Sequence, residues 1–296
     1  MTLDDLMYKP GLLAGKRYLV TGGGSGLGRV MSEALLLLGA TVYICGRRAP
    51  VVEKTASELM TAHGGRVVAK TCDIRQETQI GNMLDEIWAD GGALDGLINN
   101  AAGNFVSRTE DLSPRAFDAI SSIVFRGSFC MTLDCGKRWL AEGKSASVLS
   151  ILTTWVWNGS PFTVPSAMSK AGLHAMTQSL AVEWAGRGIR FNAIAPGLFP
   201  TEGMSARLNP GGGEHKTEGN PMARNGRMPE LANLAAFLMG PGSEYVNGQT
   251  IAIDGAQYQA TGGNFSRMAS WSEADWQTAR GAIAQRDAKD KQQRVV

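Results

Sequence analysis

The nine residues Val20-Thr21-Gly22-Gly23-Gly24-Ser25-Gly26-Leu27-Gly28 constrain the fold more than any other part of the chain. A short apolar burst, Tyr18-Leu19-Val20, leads into them, and the Ala- and Leu-rich run Val30 to Leu38 follows without Pro or Gly. The pattern reads as strand, glycine turn, helix. At such a junction the first backbone N–H groups of the helix have no intrahelical acceptor. Those donors, with the helix dipole, hold an anion, above all a pyrophosphate. Glycine suits the turn because a Cβ would bar positive φ or collide with the phosphate. Gly22, Gly26 and Gly28, with Gly24, Ser25 and Leu27 between them, therefore predict a nucleotide site. The spacing alone would equally describe a flexible loop; the flanking strand and helix favour the site.

Short apolar runs then alternate with helical patterns to the end of the chain. Strands are predicted at Thr41 to Cys45, Arg66 to Cys72, Leu94 to Asn99, Ala146 to Leu152, Ile189 to Ile194 and Gln249 to Ile253. Helices are predicted at Val51 to His63, Glu77 to Ala89, Pro114 to Leu140, Ser166 to Gly186 and Pro229 to Met239. Near-continuous apolar strands are buried on both faces, which means a parallel sheet covered by helices. The expected fold is α/β, a doubly wound (Rossmann) seven-stranded parallel sheet with ligands at the carboxyl ends of the strands. No linker divides the chain, so residues 1–296 are expected to form one domain. The Gly- and charge-rich stretch Asn209 to Asn220, within a segment 198–228, reads as a substrate lid or else as a surface insertion. Residues 265–296 read as a helical tail carrying Trp271, Trp276 and Ile283.

Composition excludes several classes. A net charge of +2 makes no electrostatic case for nucleic acid. There is no uninterrupted run of eighteen apolar residues, so no membrane span is expected, and Met1 to Gly15 lacks the apolar core of a secretory signal. Cys45, Cys72, Cys130 and Cys135 fall in predicted strands and a helix, and His63, His174 and His215 are scattered, so no metal site is expected. All four read as reduced core thiols in a cytoplasmic compartment.

The strand tips carry the ligand chemistry. After the second strand stands Gly46-Arg47-Arg48, where a carboxylate would bind an adenosine ribose and select NAD. A guanidinium matches a phosphate instead, so NADP(H) is favoured, unless Arg47 and Arg48 are merely solvated charges. Asp73, followed by Ile74, can accept from an adenine amino group, and Asn99-Asn100-Ala101-Ala102-Gly103 lets backbone approach a ribose. Both segments are also ordinary turn formers.

Together Thr21–Gly28, Asn99–Gly103, Ser166-Ala167-Met168-Ser169-Lys170 and Pro196-Gly197 resemble a short-chain dehydrogenase/reductase over nearly the whole chain. Within that family the chain is similar to the mitochondrial-type 2,4-dienoyl-CoA reductases. The stretches Asn99 to Phe105, Val164 to Ala167, Ala181 to Trp184 and Glu230 to Leu238 carry the resemblance. It implies that Lys170 holds the nicotinamide ribose, that Thr201 meets the carboxamide, and that Arg75 and Arg207 meet the CoA part of an acyl-CoA. It also implies a homotetramer built on the Pro114–Leu140 and Ser166–Gly186 helices, or else a dimer.

The chain departs from the family at the reacting centre. The usual tyrosine four residues before the lysine is Ser166, as in the dienoyl-CoA reductases. The tyrosine those enzymes carry beyond the fifth strand is here Trp155, and the family's helix asparagine falls on Arg126. A ketone needs a proton for its developing alkoxide, and an indole N–H or a serine hydroxyl is a poor acid. A conjugated thioester instead moves charge onto its oxygen as a dienolate, which needs donors first and a proton later. Arg126, Trp155 and Ser166 are candidate donors, so enoyl or dienoyl reduction is the expected activity; alternatively, Trp155 simply fills the substrate pocket and Arg126 pairs with a neighbouring carboxylate. The alternatives are a cofactor-binding protein with little turnover, or a carbonyl/hydroxy dehydrogenase.

Overall fold

The structure, a computed structural model, describes residues 1–201, 219–262 and 265–293. Seven strands form one sheet: β1 Arg17–Thr21, β2 Thr41–Gly46, β3 Arg66–Thr71, β4 Gly96–Asn99, β5 Ala146–Ile151, β6 Ile189–Pro196 and β7 Thr250–Ile253. Their order is β3-β2-β1-β4-β5-β6-β7 and every pairing is parallel. Winding therefore reverses between β1 and β4, where the crevice at the carboxyl ends of the strands opens. Register sets the strand tips level: Thr21 lies opposite Cys45, Asn99 opposite Ser150 and Pro196 opposite Ile253.

The helices are α1 Gly26–Leu37, α2 Ala49–His63, α3 Glu77–Gly91, α4 Pro114–Ser121, α5 Ser128–Glu142, α6 Trp155–Asn158, α7 Val164–Glu183, α8 Met228–Met239, α9 Gln257–Ala260 and α10 Glu273–Gln293. Several carry a proline at their first or second residue, where the missing N–H costs no intrahelical bond: Pro50, Pro114, Pro165 and Pro229. The sheet separates two apolar layers. One face packs Leu35, Leu36, Leu59, Leu231 and Leu238 from α1, α2 and α8. The other packs Leu84, Ile87, Met131, Trp139 and Trp184 from α3, α5 and the end of α7. A smaller cluster, Ile120, Val124, Leu152, Leu173, Ala193 and Ala195, sits beneath the crevice.

Two helical expectations change. α1 begins at Gly26, not Val30, so Gly26 and Gly28 lie in its first turn. The single helix expected over Pro114–Leu140 is divided by a π-helical turn, Ser122–Gly127, which contains Arg126. The whole run Pro114–Glu142 is long and apolar enough by composition to cross a membrane, with a window of mean hydropathy 1.2. It lies instead along the sheet, with Val124, Met131, Cys135 and Trp139 fully buried and Phe117, Phe125 and Phe129 outside. The proposed lid lies largely outside the described residues, as does Arg207. In the tail, Trp271, just before α10, packs edge-to-face on Trp276 in its first turn.

α5 and the end of α7 approach closely because Gly136 has no side chain: a Cβ there would overlap the Trp184 indole. Gly136→Ala is expected to destabilise the protein by about 1–3 kcal/mol despite alanine's better helix propensity. Urea unfolding of the variant checks this, and a midpoint at or above wild type would refute the close packing.

Candidate active site

The crevice is assembled from the loops that follow the strands. In the turn after β1, Gly22 and Gly26 have φ of +65° and +53°, a region that favours glycine. A Cβ on Gly28 would overlap the Gly22 carbonyl and the Asn100 amide. Ser25 is the N-cap of α1 but makes no side-chain capping bond, which leaves the first N–H groups of the helix for a ligand. The turn is tied across the reversal point. Thr21 Oγ1 accepts the N–H groups of Asn100 and Ala101, each at 3.0 Å. Asn100 Nδ2 donates to the carbonyls of Thr21 at 2.9 Å and Gly22 at 3.3 Å.

The turn after β6 reaches the same place, since Thr201 lies within 3.8–3.9 Å of where a Gly26 Cβ would stand. Gly197, directly after Pro196, donates to the Ile253 carbonyl at 3.0 Å. A Cβ on it would come within 2.6 Å of Asp254. Gly24 lies at the far side of the turn, its carbonyl accepting from Thr55 Oγ1 at 2.8 Å.

Arg47 is exposed at the tip of β2, and Asp73 and Ile74 follow β3. Both Asp73 oxygens accept from the Arg75 guanidinium, at 2.5–3.0 Å. These hydrogen bonds, with the charges of Arg75 and Arg47, hold the Asp73 carboxyl below the usual range. Arg75, expected at the CoA part of a substrate, thus grips the aspartate expected at adenine.

Lys170 lies in α7, is 4% exposed, and donates through Nζ to the Ile151 carbonyl at the end of β5. Burial lowers its pKa to about 8. Ser166, one turn earlier, is buried, and Trp155 opens the short helix α6, which packs on α7. Of the three, Lys170 is bonded to the tip of β5, and Ser166 and Trp155 stand on the packed helices α7 and α6. Arg126 does not join them, which corrects the expectation that it faces the substrate. The π-turn sends its side chain outward, where the guanidinium pairs with Glu77 and donates to the Arg75 carbonyl at 3.2 Å.

One residue was missed in the sequence. Thr153 follows β5, two residues past the carbonyl that Lys170 holds, and its Oγ1 is buried without a hydrogen-bond partner. Such a group normally finds a partner, so the buried Thr153 hydroxyl is a donor left unused. A threonine pair at a strand tip, Thr153-Thr154, was the available signal. Tyr258 is the other surprise: it stacks on Trp157, with ring centroids 4.7 Å apart, and Trp157 meets the His174 ring edge-on.

A parallel sheet with a glycine turn at its reversal point, and a buried lysine one turn from a serine, defines a dinucleotide-dependent oxidoreductase crevice. Residues 22–256 match the family described as enoyl-(acyl carrier protein) reductase, and the chain belongs to the short-chain dehydrogenase/reductase family of oxidoreductases. It is 40% identical over 292 residues, covering 96% of this chain and 94% of the relative, to a Caenorhabditis elegans protein named "Probable 2,4-dienoyl-CoA reductase 3". A peroxisomal 2,4-dienoyl-CoA reductase of Danio rerio is 32% identical over 266 residues, 88% of each chain. Among solved structures, a gluconate 5-dehydrogenase from Burkholderia cenocepacia in complex with NADP and tartrate superposes with a TM-score of 0.77. It is 27% identical, over 83% of this chain and 96% of that one.

The depressed pKa of Lys170 has a testable sign. Its folded value lies below the unfolded value of about 10.4, so the unfolded chain binds more protons between the two, and stability rises with pH there. Wild type is therefore expected to gain stability relative to Lys170→Met as pH rises from 8 to 10, by up to about 3 kcal/mol. Urea midpoints of the pair across that range check it; a constant difference would show that Lys170 is not desolvated.

Proposed function

We propose that this chain is an NADP(H)-dependent reductase of enoyl- or dienoyl-CoA thioesters that works without the usual active-site tyrosine. The observation that carries the reading is the unpartnered, buried Thr153 hydroxyl just past the tip of β5, with Trp155 opening α6 two residues later and Ser166 buried on α7, which packs on α6. The positive-φ glycines, and Gly28 where a Cβ would fill the turn, fit a dinucleotide. Gly22, Gly24, Ser25, Gly26, Leu27 and Gly28 would hold its pyrophosphate, and Asn100 and Ala101 a ribose. Asp73 and Ile74 would flank adenine. Lys170 would hold the nicotinamide ribose, with Pro196, Gly197 and Thr201 beside the carboxamide. When bound, the cofactor supplies the hydride.

The chain's own residues do the rest. Thr153, Ser166 and Trp155 donate hydrogen bonds to the thioester oxygen as it gains charge, an oxyanion hole that needs no titrating acid. Lys170, protonated below pH 8, adds a fixed positive charge behind them. The proton for carbon is left to water. Arg47 receives the 2′-phosphate that separates NADP(H) from NAD(H), while Arg75 and Arg207 serve the CoA phosphates.

The rest of the reading concerns organisation. Residues 1–296 act as one domain, with a lid at 198–228 and a tail at 265–296. The exposed Phe117, Phe125 and Phe129 on α4, the π-turn and α5 support a homotetramer joined through these helices and α7. The buried free thiols of Cys45, Cys72 and Cys135 support a reducing, cytoplasm-like compartment. A second reading, cofactor binding with little turnover, draws on Arg126: the family's asparagine position is turned away from the site.

Titration of purified protein by NADPH and NADH, followed by an assay with a 2,4-dienoyl-CoA, tests the proposal. NADPH is expected to bind at least about tenfold tighter than NADH, with Arg47→Ala removing most of that preference. Thr153→Val is expected to lower kcat by about 10²-fold with cofactor affinity unchanged. Tight NADPH binding without dienoyl-CoA turnover, with activity appearing only in Trp155→Tyr/Arg126→Asn, would favour the second reading. Failure to bind either nucleotide would end both.

A further inference from the structure

The π-turn Ser122–Gly127 touches both ends of the crevice at once. On one side Phe125 rests on Gly172 of α7, two residues past Lys170, where a Cβ would come within 2.6 Å of the ring. On the other, a Cβ on Gly127 would come within 2.8–3.0 Å of the Ile74 side chain and carbonyl. The loop Asp73–Gln76 is thus backed by the π-turn directly behind the residues read as adenine contacts.

Contact with Ile74 bars the loop from moving inward but does not fix its backbone. Within the loop, Arg75 closes on Asp73, and the Asp73 N–H donates to Gln79 Oε1 at 2.8 Å. Both of these bonds are local. Arg126 makes the long-range one: Nη1 donates to the Arg75 carbonyl at 3.2 Å, while Nη2 pairs with Glu77 at the first residue of α3. One guanidinium therefore holds both the last turn of the loop and the start of the helix that follows. Its planar donors suit a carbonyl and a carboxylate side by side, which a lysine ammonium matches less well.

We propose that Arg126 is a positioning residue for the adenine-binding loop: it sets Asp73 and Ile74 from the π-turn and takes no part in the chemistry at the thioester. The inference rests on the cofactor reading above. It assigns to this position a task at the opposite end of the crevice from the reacting carbon. Because the ion pair is exposed, with the side chains 54% and 65% accessible, the effect is one of geometry and modest size.

Adenosine 2′,5′-bisphosphate carries the adenine half of NADP(H) and nothing that reacts, so calorimetric titration with it reads the loop without any turnover. Arg126→Ala is expected to weaken its binding about fivefold, Arg126→Lys to recover part of the loss, and Glu77→Gln to lie between. In NADPH-dependent assays the KM for NADPH is expected to rise by the same factor in Arg126→Ala with kcat unchanged. Nicotinamide mononucleotide, which lacks the adenine half, should bind wild type and variant equally. If wild type binds the bisphosphate and Arg126→Ala binds it equally well, the inference falls and the cofactor reading stands. A kcat loss of about 10²-fold at unchanged KM would also overturn it, returning Arg126 to the oxyanion. If wild type itself does not bind the bisphosphate, the cofactor reading fails and takes the inference with it.

Discussion

The interaction on which the rest depends is the stitch between the turns after β1 and β4. Thr21 Oγ1 accepts two backbone N–H groups from the Asn100 turn, and the Asn100 side chain returns two hydrogen bonds to the Thr21 and Gly22 carbonyls. The stitch spans the point where strand order reverses, the one place in a doubly wound sheet where neighbouring loops part and leave a crevice. It holds the glycine turn open. It also explains why Gly28 tolerates no side chain: the space a Cβ would need is already filled by the Gly22 carbonyl and the Asn100 amide.

Lys170 depends on that frame in turn. A buried ammonium loses its hydration, and its compensation here is the Ile151 carbonyl at the end of β5. The same strand end carries Thr153, whose hydroxyl is left without a partner. A charged donor and an unused neutral donor are thus set a few residues apart by one strand tip. That arrangement is the basis of the proposed charge stabilisation at a ligand oxygen.

Much of the fold was legible because its signals are local. Continuous apolar strands, Pro50, Pro114, Pro165 and Pro229 at helix starts, and the glycine turn all act through backbone physics within a few residues. The α1 start was misplaced because glycine reads as a helix breaker, whereas here the helix begins inside the glycine turn to expose its N–H groups. The π-turn was not legible: Ser122–Gly127 lies inside a run that reads as one continuous helix, and the residues it packs on, Ile74 in the loop after β3 and Gly172 on α7, are far away in sequence.

By itself the sequence determined the doubly wound sheet and the glycine turn, since strand and helix periodicity and the absence of side chains are written residue by residue; Lys170 was picked out by the family resemblance of the Ser166–Lys170 segment, not by periodicity. Tertiary structure alone decided where the arginines point. Arg75 closes on Asp73 and Arg126 reaches Glu77 and the Arg75 carbonyl because the β3 loop and the π-turn meet in space. A long flexible side chain takes its direction from the partner that packing brings within reach, and sequence position does not encode that partner.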